Sequence, residues 1–249
     1  MVNSSTKDVP KLYALWLMPL PLIIHVAGQL LDADGEIFNR WIESESGFIE
    51  NGTVLLLIPA AIFMLIAAKR FWQASTSVDD ETSAVVAAKA SGKLVAIWML
   101  LGALVCIGFA GEEASWGQHW LGWQSPEYFA ENNRQGETNF HNIDLQLGRI
   151  VKSILTIAII IGGLIIPLRR KKHSSAVPRK FIDYVSGTTV CVPAAFFVLI
   201  VRLVERFKTW FDLDWVILAV NLKELQELYI AIFLVIYAWS IKLRTDLTK

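Results

Sequence analysis

The sequence predicts an all-α integral membrane bundle of about six transmembrane helices, with an extracytoplasmic polar loop between the third and fourth spans. Of its 249 residues, 54% are hydrophobic, and the mean hydropathy of +0.46 is high for a soluble domain. The charged residues, 18% of the chain, fall in short blocks between long apolar runs. A helix that crosses a bilayer needs about 20 apolar residues, which is the scale of these runs. The whole chain, 1–249, is therefore predicted to be one transmembrane domain.

Each predicted span is an apolar run bounded by charged or turn-forming residues. The six spans are 12–31, 53–68, 94–111, 148–168, 185–205 and 222–241. Pro19 and Pro21 are expected to kink the first span, because proline cannot donate the helical hydrogen bond. Lys69 and Arg70 end the second span, and the basic block that starts at Arg169 ends the fourth.

A short helix is predicted inside the polar loop. Ser125 is a good helix-capping residue, Pro126 suits the first helical position, and Glu127 places an acid in the first turn. Tyr128 and Phe129 follow, and such aromatic side chains suit a helix lying at a membrane surface.

The distribution of basic residues predicts the orientation. An even number of spans places both termini on the same side of the membrane. Most of the 23 lysines and arginines lie in the termini and in the connectors 69–93 and 169–180, which share that side. Because cytoplasmic loops are enriched in lysine and arginine, both termini are predicted to be cytoplasmic and the segment 111–147 to face outward.

Ionisable residues recur about one membrane thickness away from the cytoplasmic basic blocks. They are Glu50, Glu112, Glu113, Arg149, Lys152, Arg202, Glu205, Glu224 and Glu227, with His25 slightly deeper. Charges gather wherever a membrane meets water, which accounts for part of this pattern. Lys152, Arg202, Glu224 and Glu227, however, lie within apolar runs, where a charge is costly unless it faces a bundle interior or a wet cavity. A shared polar site near the outer surface is therefore predicted.

Carboxylates and imidazoles in the polar loop provide candidate catalytic residues. Two sets share helical i, i+4, i+7 spacing: Glu112, Trp116 and His119, then Glu137, His141 and Asp144. The candidate catalytic residues are Glu112, Glu113, Glu137 and His141. In this hypothesis Glu113 is a general base and His141 polarises the substrate. The alternative is that each histidine only caps a helix end.

The same loop is a candidate metal site. Carboxylate and imidazole ligands suit zinc, iron or manganese. The candidate ligands are His119, Glu137, His141 and Asp144. A divalent metal is therefore the cofactor considered, and the sequence identifies no other.

Polar, aromatic and basic residues near the loop are candidates for substrate binding. They are Trp116, Gln118, Asn139, Asn142, Arg149 and Arg202. Arginine suits a phosphate group, whereas the tryptophans are most simply an interfacial belt. Membrane lipid is the expected partner, together with a membrane protein as an alternative. Nucleic acid is excluded, because the basic blocks are short and lack interleaved aromatic residues.

Two motifs carry a resemblance to a known group of proteins. The motif E-E-x-S-W-G-Q at 112–118 and the motif G-E-T-N-x-H-N at 136–142 resemble a family of uncharacterised bacterial multi-span membrane proteins. The segment SGFIENGT, which opens the second span, is also similar, so the resemblance covers most of the chain. It implies a location in the bacterial inner (plasma) membrane but no stated activity. The site residues that it implies are Glu112, Glu113, Trp116, Gln118, Glu137, Asn139, His141 and Asn142.

A weaker likeness is to the CAAX-type intramembrane glutamate proteases. Glu112, Glu113 and Trp116 are similar to the E-E-x-x-x-R motif of those enzymes, which commonly carries a tryptophan at this position. Gly117 stands where that motif has arginine, and the histidine boxes of the family are absent from the sequence.

Four functions follow as alternatives. The preferred one is an enzyme that acts on a lipid or lipid-linked substrate by hydrolysis or group transfer. The others are a non-catalytic accessory or assembly subunit of a membrane complex, a CAAX-protease-like intramembrane protease, and an ion-coupled carrier. The carrier is less favoured, because the sequence shows no internal repeat of the kind from which many carriers are built.

Overall fold

The structure is a computed structural model that describes residues 18–31, 47–76, 83–171, 181–211 and 222–245. Within these ranges every regular element is helical, which confirms the predicted all-α class. Four of the described helices are long and apolar enough to cross a membrane. They are Phe48–Thr76, Ser91–Glu113, Gly148–Arg170 and Leu222–Thr245.

The chain forms long helices that are connected by short helices and helical turns. They are α1 (Leu20–Leu31), α2 (Phe48–Thr76), α3 (Ser83–Glu113), α4 (Gln118–Leu121), α5 (Glu127–Asn132), α6 (Leu145–Ile159), α7 (Ile166–Lys171), α8 (Phe181–Val185), α9 (Val192–Phe211) and α10 (Leu222–Thr245). A π-helical stretch, Ile160–Ile165, joins α6 to α7, and 3₁₀ turns lie at Ser115–Gly117 and Thr189–Cys191. We call residues 114–144 the α3–α6 loop.

Four of the six predicted spans lie inside the four long helices. The fifth, 185–205, differs, because α8 ends at Val185 and α9 begins only at Val192. Gly187 and the 3₁₀ turn form the break, and Pro193 stands in the first turn of α9, where its missing N–H removes no helical bond. Of the first span, α1 accounts for Leu20–Leu31, while 12–17 lies outside the described residues.

Helix α10 forms the centre of the bundle. Its buried side chains point in every direction around the axis, as in Tyr229, Ile230, Ala231 and Ala238. A helix that is apolar all round must be enclosed by other helices. The Tyr229 hydroxyl donates to the Met18 carbonyl at 2.8 Å, and this contact attaches the start of α1 to α10.

Helices α2 and α3 form an antiparallel pair. Gly102 of α3 lies against Met64 of α2, so closely that a Cβ on the glycine would be 2.7 Å from the methionine sulfur. Further along, Gly92 of α3 lies against Ser75 of α2. Because the two helices run in opposite directions, the start of α2 and the end of α3 lie at the same end of the bundle.

The π-helical stretch brings α6 and α10 into close contact. A side chain on Gly163 would overlap the Phe233 ring of α10, so only glycine fits there. The wider π turn frees the Gly162 carbonyl, which accepts the N–H of Gly187 at 3.0 Å. This bond also satisfies the backbone at the break before α9.

Candidate functional site

The chain leaves α3 through an unusual turn that redirects the α3–α6 loop. Ser115 and Trp116 have φ angles of 44° and 55°, and Gly117 follows at 94°. Left-handed backbone at a residue other than glycine is destabilising by roughly 1–2 kcal/mol, so surrounding contacts must hold this turn. As a result, the helix does not continue from Glu112 to His119, and the expected i, i+4, i+7 stripe does not form.

The Glu112 side chain forms hydrogen bonds with both ends of the α3–α6 loop. One carboxylate oxygen accepts the Trp116 indole N–H at 2.9 Å. The other accepts the backbone N–H groups of Phe140 at 2.7 Å and His141 at 3.0 Å. This candidate catalytic carboxylate is therefore engaged in holding the loop, and the His141 Nδ1 lies 3.5 Å from it.

A second network of polar side chains forms the interior of the loop. One oxygen of Glu137 accepts the Ser115 hydroxyl at 3.0 Å and the Asn139 amide at 2.7 Å. The Asn133 amide in turn donates to the Asn139 side-chain oxygen at 2.8 Å. Ser115 is 0% exposed, Asn139 1% and Glu137 7%. Buried polar groups are stable only when their hydrogen bonds are satisfied, and here they satisfy one another.

His119 rests on the remaining oxygen of Glu137. Its Nε2 lies 3.2 Å from that oxygen, and its side chain is 18% exposed. The other imidazole nitrogen contacts no partner among the described residues. A buried carboxylate that orients a partly exposed imidazole is an arrangement in which histidine can transfer protons, because the carboxylate fixes the position of the ring.

Two of the candidate substrate-binding residues also make hydrogen bonds that hold the loop together. The Gln118 side-chain oxygen accepts the backbone N–H of Thr138 at 2.8 Å. The Asn142 amide donates to the side chain of Gln135. Asn139, a third candidate, belongs to the buried network described above.

The four candidate metal ligands lie in separate places. His119 pairs with Glu137 and His141 lies beside Glu112, whereas Asp144 accepts the backbone N–H of Gln146 at 2.9 Å and caps the start of α6. Among the described residues no three histidine, cysteine or acidic side chains converge as a metal site requires. The predicted grouping assumed helical spacing over 137–144, but this segment is irregular.

Glu113, although adjacent to Glu112, belongs to a different cluster. Its strongest charge interactions are with Glu227 of α10 and Lys152 of α6, followed by Glu50 of α2 and Glu224 of α10. Lys152 and Glu227 form a direct ion pair. The ends of four helices therefore bring their charges together here, as the spacing from the basic blocks predicts.

Two charged residues of helix α9 also belong to this cluster. Lys152 also interacts with Glu205, which pairs with Arg202 at 2.6 Å, and Arg202 in addition donates to Ser153 at 3.3 Å. We call the whole set the charged layer: Glu50, Glu113, Lys152, Arg202, Glu205, Glu224 and Glu227. Arg202, a candidate phosphate ligand, thus lies in this layer in an ion pair with Glu205. Arg149, the other basic candidate, is exposed in the first turns of α6.

Sequence reasoning missed Asn133 and assigned no role to Ser115. Asparagine in a polar loop ordinarily indicates only a turn, and Ser115 lacks the flanking glycines of a nucleophile elbow. Their burial depends on the left-handed turn at Ser115–Trp116, for which the sequence carries no distinct signal.

Comparison of the chain with family models, with curated proteins and with solved structures returned no match.

Proposed function

We propose that this chain is a multi-pass membrane enzyme that acts on a lipid or lipid-linked substrate by hydrolysis or group transfer. In this proposal His119 is the general base and Glu137 orients it. The observation that carries the proposal is the 3.2 Å contact between a partly exposed imidazole and a buried carboxylate that Ser115 and Asn139 fix in place.

The chemistry follows from the two ends of the imidazole ring. The Nε2 nitrogen of His119 is held by Glu137. The other imidazole nitrogen, Nδ1, can therefore take a proton from water or a substrate hydroxyl and later return it to the leaving group. Glu137 stabilises the imidazolium formed between these steps. Acid–base catalysis by one positioned side chain contributes about 10²–10⁴-fold to a rate.

The position of the pair favours a membrane substrate. His119 lies in the loop that connects two membrane-length helices, six positions after α3 ends at Glu113 and well before α6 begins. The reactive group of such a substrate is expected at the depth of the lipid headgroups. The charged layer lies at the same end of the bundle and contains more acids than bases, which suits a substrate carrying an amine.

The proposed orientation places this loop on the outer face of the bacterial inner membrane, with about six spans and both termini in the cytoplasm. The directions of α2, α3 and α10 support it, because α2 and α10 begin, and α3 ends, with acidic residues at the end of the bundle where the loop lies. Lys69, Arg70, Lys242 and Arg244 lie at the opposite ends of their helices.

The proposal is tested by turnover of lipids by the purified full chain. The protein is incubated in vesicles of a bacterial polar lipid extract, and products are followed over time by mass spectrometry. His119→Ala is expected to lower turnover by about 100-fold or more, because the base is lost. His173→Ala is the matched control, since His173 lies in the basic segment predicted to face the cytoplasm and should have no effect.

Equal turnover by His119→Ala and the wild type would refute the role of His119. If the wild type converts no lipid at all, the enzyme proposal fails and the accessory subunit takes its place. That second candidate is favoured by one observation: Glu112, Gln118 and Asn142 are all used to hold the loop, as expected of a rigid docking surface.

The remaining two alternatives have less support. A carrier must pass its ion along the bundle, but α10 continues below Glu227 with the buried apolar residues Ile230, Ala231 and Phe233. An intramembrane glutamate protease would need Glu112 to activate water, whereas three N–H groups already occupy its oxygens.

A further inference from the structure

The α3–α6 loop is built with its polar residues inside and its aromatic residues outside. Its buried residues include Ser115, Asn133, Glu137 and Asn139. Large apolar side chains are exposed along 116–123 and at Phe140: Trp116, Trp120, Leu121, Trp123 and Phe140. A loop surrounded by water would bury its apolar side chains and expose its polar ones, because exposing several large apolar side chains to water is unfavourable. We call these five side chains the aromatic surface.

Two contacts place the aromatic surface at the level where the long helices end, and a third joins Trp123 to it. The Trp116 ring covers Gly111 in the last turn of α3, so closely that a Cβ there would be 2.9 Å from the ring. The Trp120 indole N–H donates to Asn51, in the first turn of α2, at 2.9 Å. Trp123 packs over Gly117, next to Trp116 in the chain.

The chemistry of the surface matches the boundary between lipid headgroups and acyl chains. Tryptophan is enriched at that depth because it joins a large apolar ring to one polar N–H group. The N–H groups of Trp116 and Trp120 are bound by Glu112 and Asn51, so the parts of these rings that remain exposed are apolar. They continue the apolar face of α3, on which Leu104 and Ile107 are exposed.

The exposed polar residues of the loop lie in a different stretch. Glu127, Glu131 and Asn132 of α5 and the following Arg134 are exposed. The loop thus has its aromatic surface beside the helix ends, whereas the exposed charges lie on and after α5, together with one exposed ring, Tyr128. A bilayer surface matches this division, because it offers hydrocarbon and water within a few ångströms of each other.

We propose that the aromatic surface is embedded in the headgroup–acyl boundary of the membrane that the long helices cross, with α5 facing water. The partner is the lipid bilayer itself. The inference needs only the membrane location of the helices and does not depend on the chemistry of His119. If both hold, the embedded segment carries His119 to the depth of the lipid headgroups.

Spin labels at two exposed positions test the proposal. Leu121→Cys reports on the aromatic surface, and its side chain is 76% exposed, so the substitution removes little packing. Glu131→Cys, exposed on α5, is the matched control. Cys106 and Cys191 are buried, and the unsubstituted chain measures any background labelling. The full chain is placed in nanodiscs at one copy per disc, and collisions of each label with oxygen and with a water-soluble nickel chelate are measured.

Oxygen concentrates in hydrocarbon, whereas the chelate stays in water. The ratio of oxygen to chelate collisions is therefore expected to be several-fold higher at position 121 than at position 131. Equal ratios at the two positions would overturn the proposal. A label at position 121 that the chelate reaches as readily as position 131 in single-copy discs, but that is protected from both reagents in discs with several copies, would also overturn it, because a second copy would then cover the surface.

Discussion

Glu112 and Glu113 are adjacent residues with entirely different surroundings. Glu112 accepts three N–H groups from the loop. The Glu113 side chain makes no hydrogen bond with any described residue and instead meets the charges of α2, α6 and α10. Because successive side chains on a helix point about 100° apart, one faces the loop and the other faces the bundle. Glu112 therefore has a structural role in the loop, whereas Glu113 has an electrostatic role in the bundle.

This difference predicts opposite outcomes for two matched substitutions. Glu112→Gln removes a charged acceptor whose bonds are each worth about 1.5–3 kcal/mol, so the backbone amides of Phe140 and His141 should exchange with solvent about tenfold faster or more. Glu113→Gln should leave those two amides unchanged, since Glu113 does not contact them. Hydrogen exchange followed by mass spectrometry of the 137–144 peptide measures both. Similar exchange in the two variants would contradict the structural role of Glu112.

At the level of helices and turns, agreement between sequence and structure depends on how local the signal is. The runs 53–68, 94–111, 148–168 and 222–241 are helical because hydropathy is a property of each run by itself. The stripe formed by Glu112, Trp116 and His119 was inferred by extending α3, and the left-handed turn at Ser115 stops that extension. The loop networks join residues more than twenty positions apart, such as Ser115 and Glu137, and helical spacing carries no information about such contacts.

The π-helical stretch is a second feature that hydropathy does not reveal, and it predicts a contrast between neighbouring glycines. Gly163→Ala should destabilise the bundle, because its Cβ would overlap the Phe233 ring and overpacking typically costs about 1–3 kcal/mol. Gly162→Ala should be tolerated or slightly stabilising, since no atom lies within 4 Å of its Cβ position and alanine favours a helix. Thermal unfolding in detergent compares the two variants.

A second substitution that makes room for the alanine side chain at position 163 tests whether overpacking against α10 is the cause. Phe233→Leu shortens the ring that Gly163→Ala meets, so the double variant should recover part of the lost melting temperature. If Gly162→Ala is as harmful as Gly163→Ala, the effect arises from the backbone of the π turn and not from contact with α10.

Across the whole molecule, charge is sorted between the two ends of the bundle. Helix α2 begins near Glu50 and passes Lys69 and Arg70 towards its other end, and α10 runs from Glu224 to Arg244. The acids of several helices therefore meet in the charged layer, which also holds Lys152 and Arg202, while Lys69, Arg70 and Arg244 lie towards the opposite end of the bundle. Carboxylates near the end of a membrane helix are less costly than the same groups at mid-membrane.

This sorting predicts how the chain lies in its membrane, and single cysteines can test it in intact cells. A membrane-impermeant maleimide should label Glu131→Cys on the α3–α6 loop directly. Ser174→Cys in the basic segment, Ser5→Cys near the amino terminus and Thr248→Cys near the carboxyl terminus should react only after the membrane is opened. The reason is that segments rich in lysine and arginine are retained in the cytoplasm. The unsubstituted chain, with Cys106 and Cys191 buried, provides the background.

Labelling of the Ser174, Ser5 and Thr248 variants in intact cells, with Glu131→Cys protected, would invert the topology and place His119 and Glu137 on the cytoplasmic face. A split result, in which the two termini label differently, would instead mean an odd number of spans, and α1 or α9 would then be the helix that does not cross.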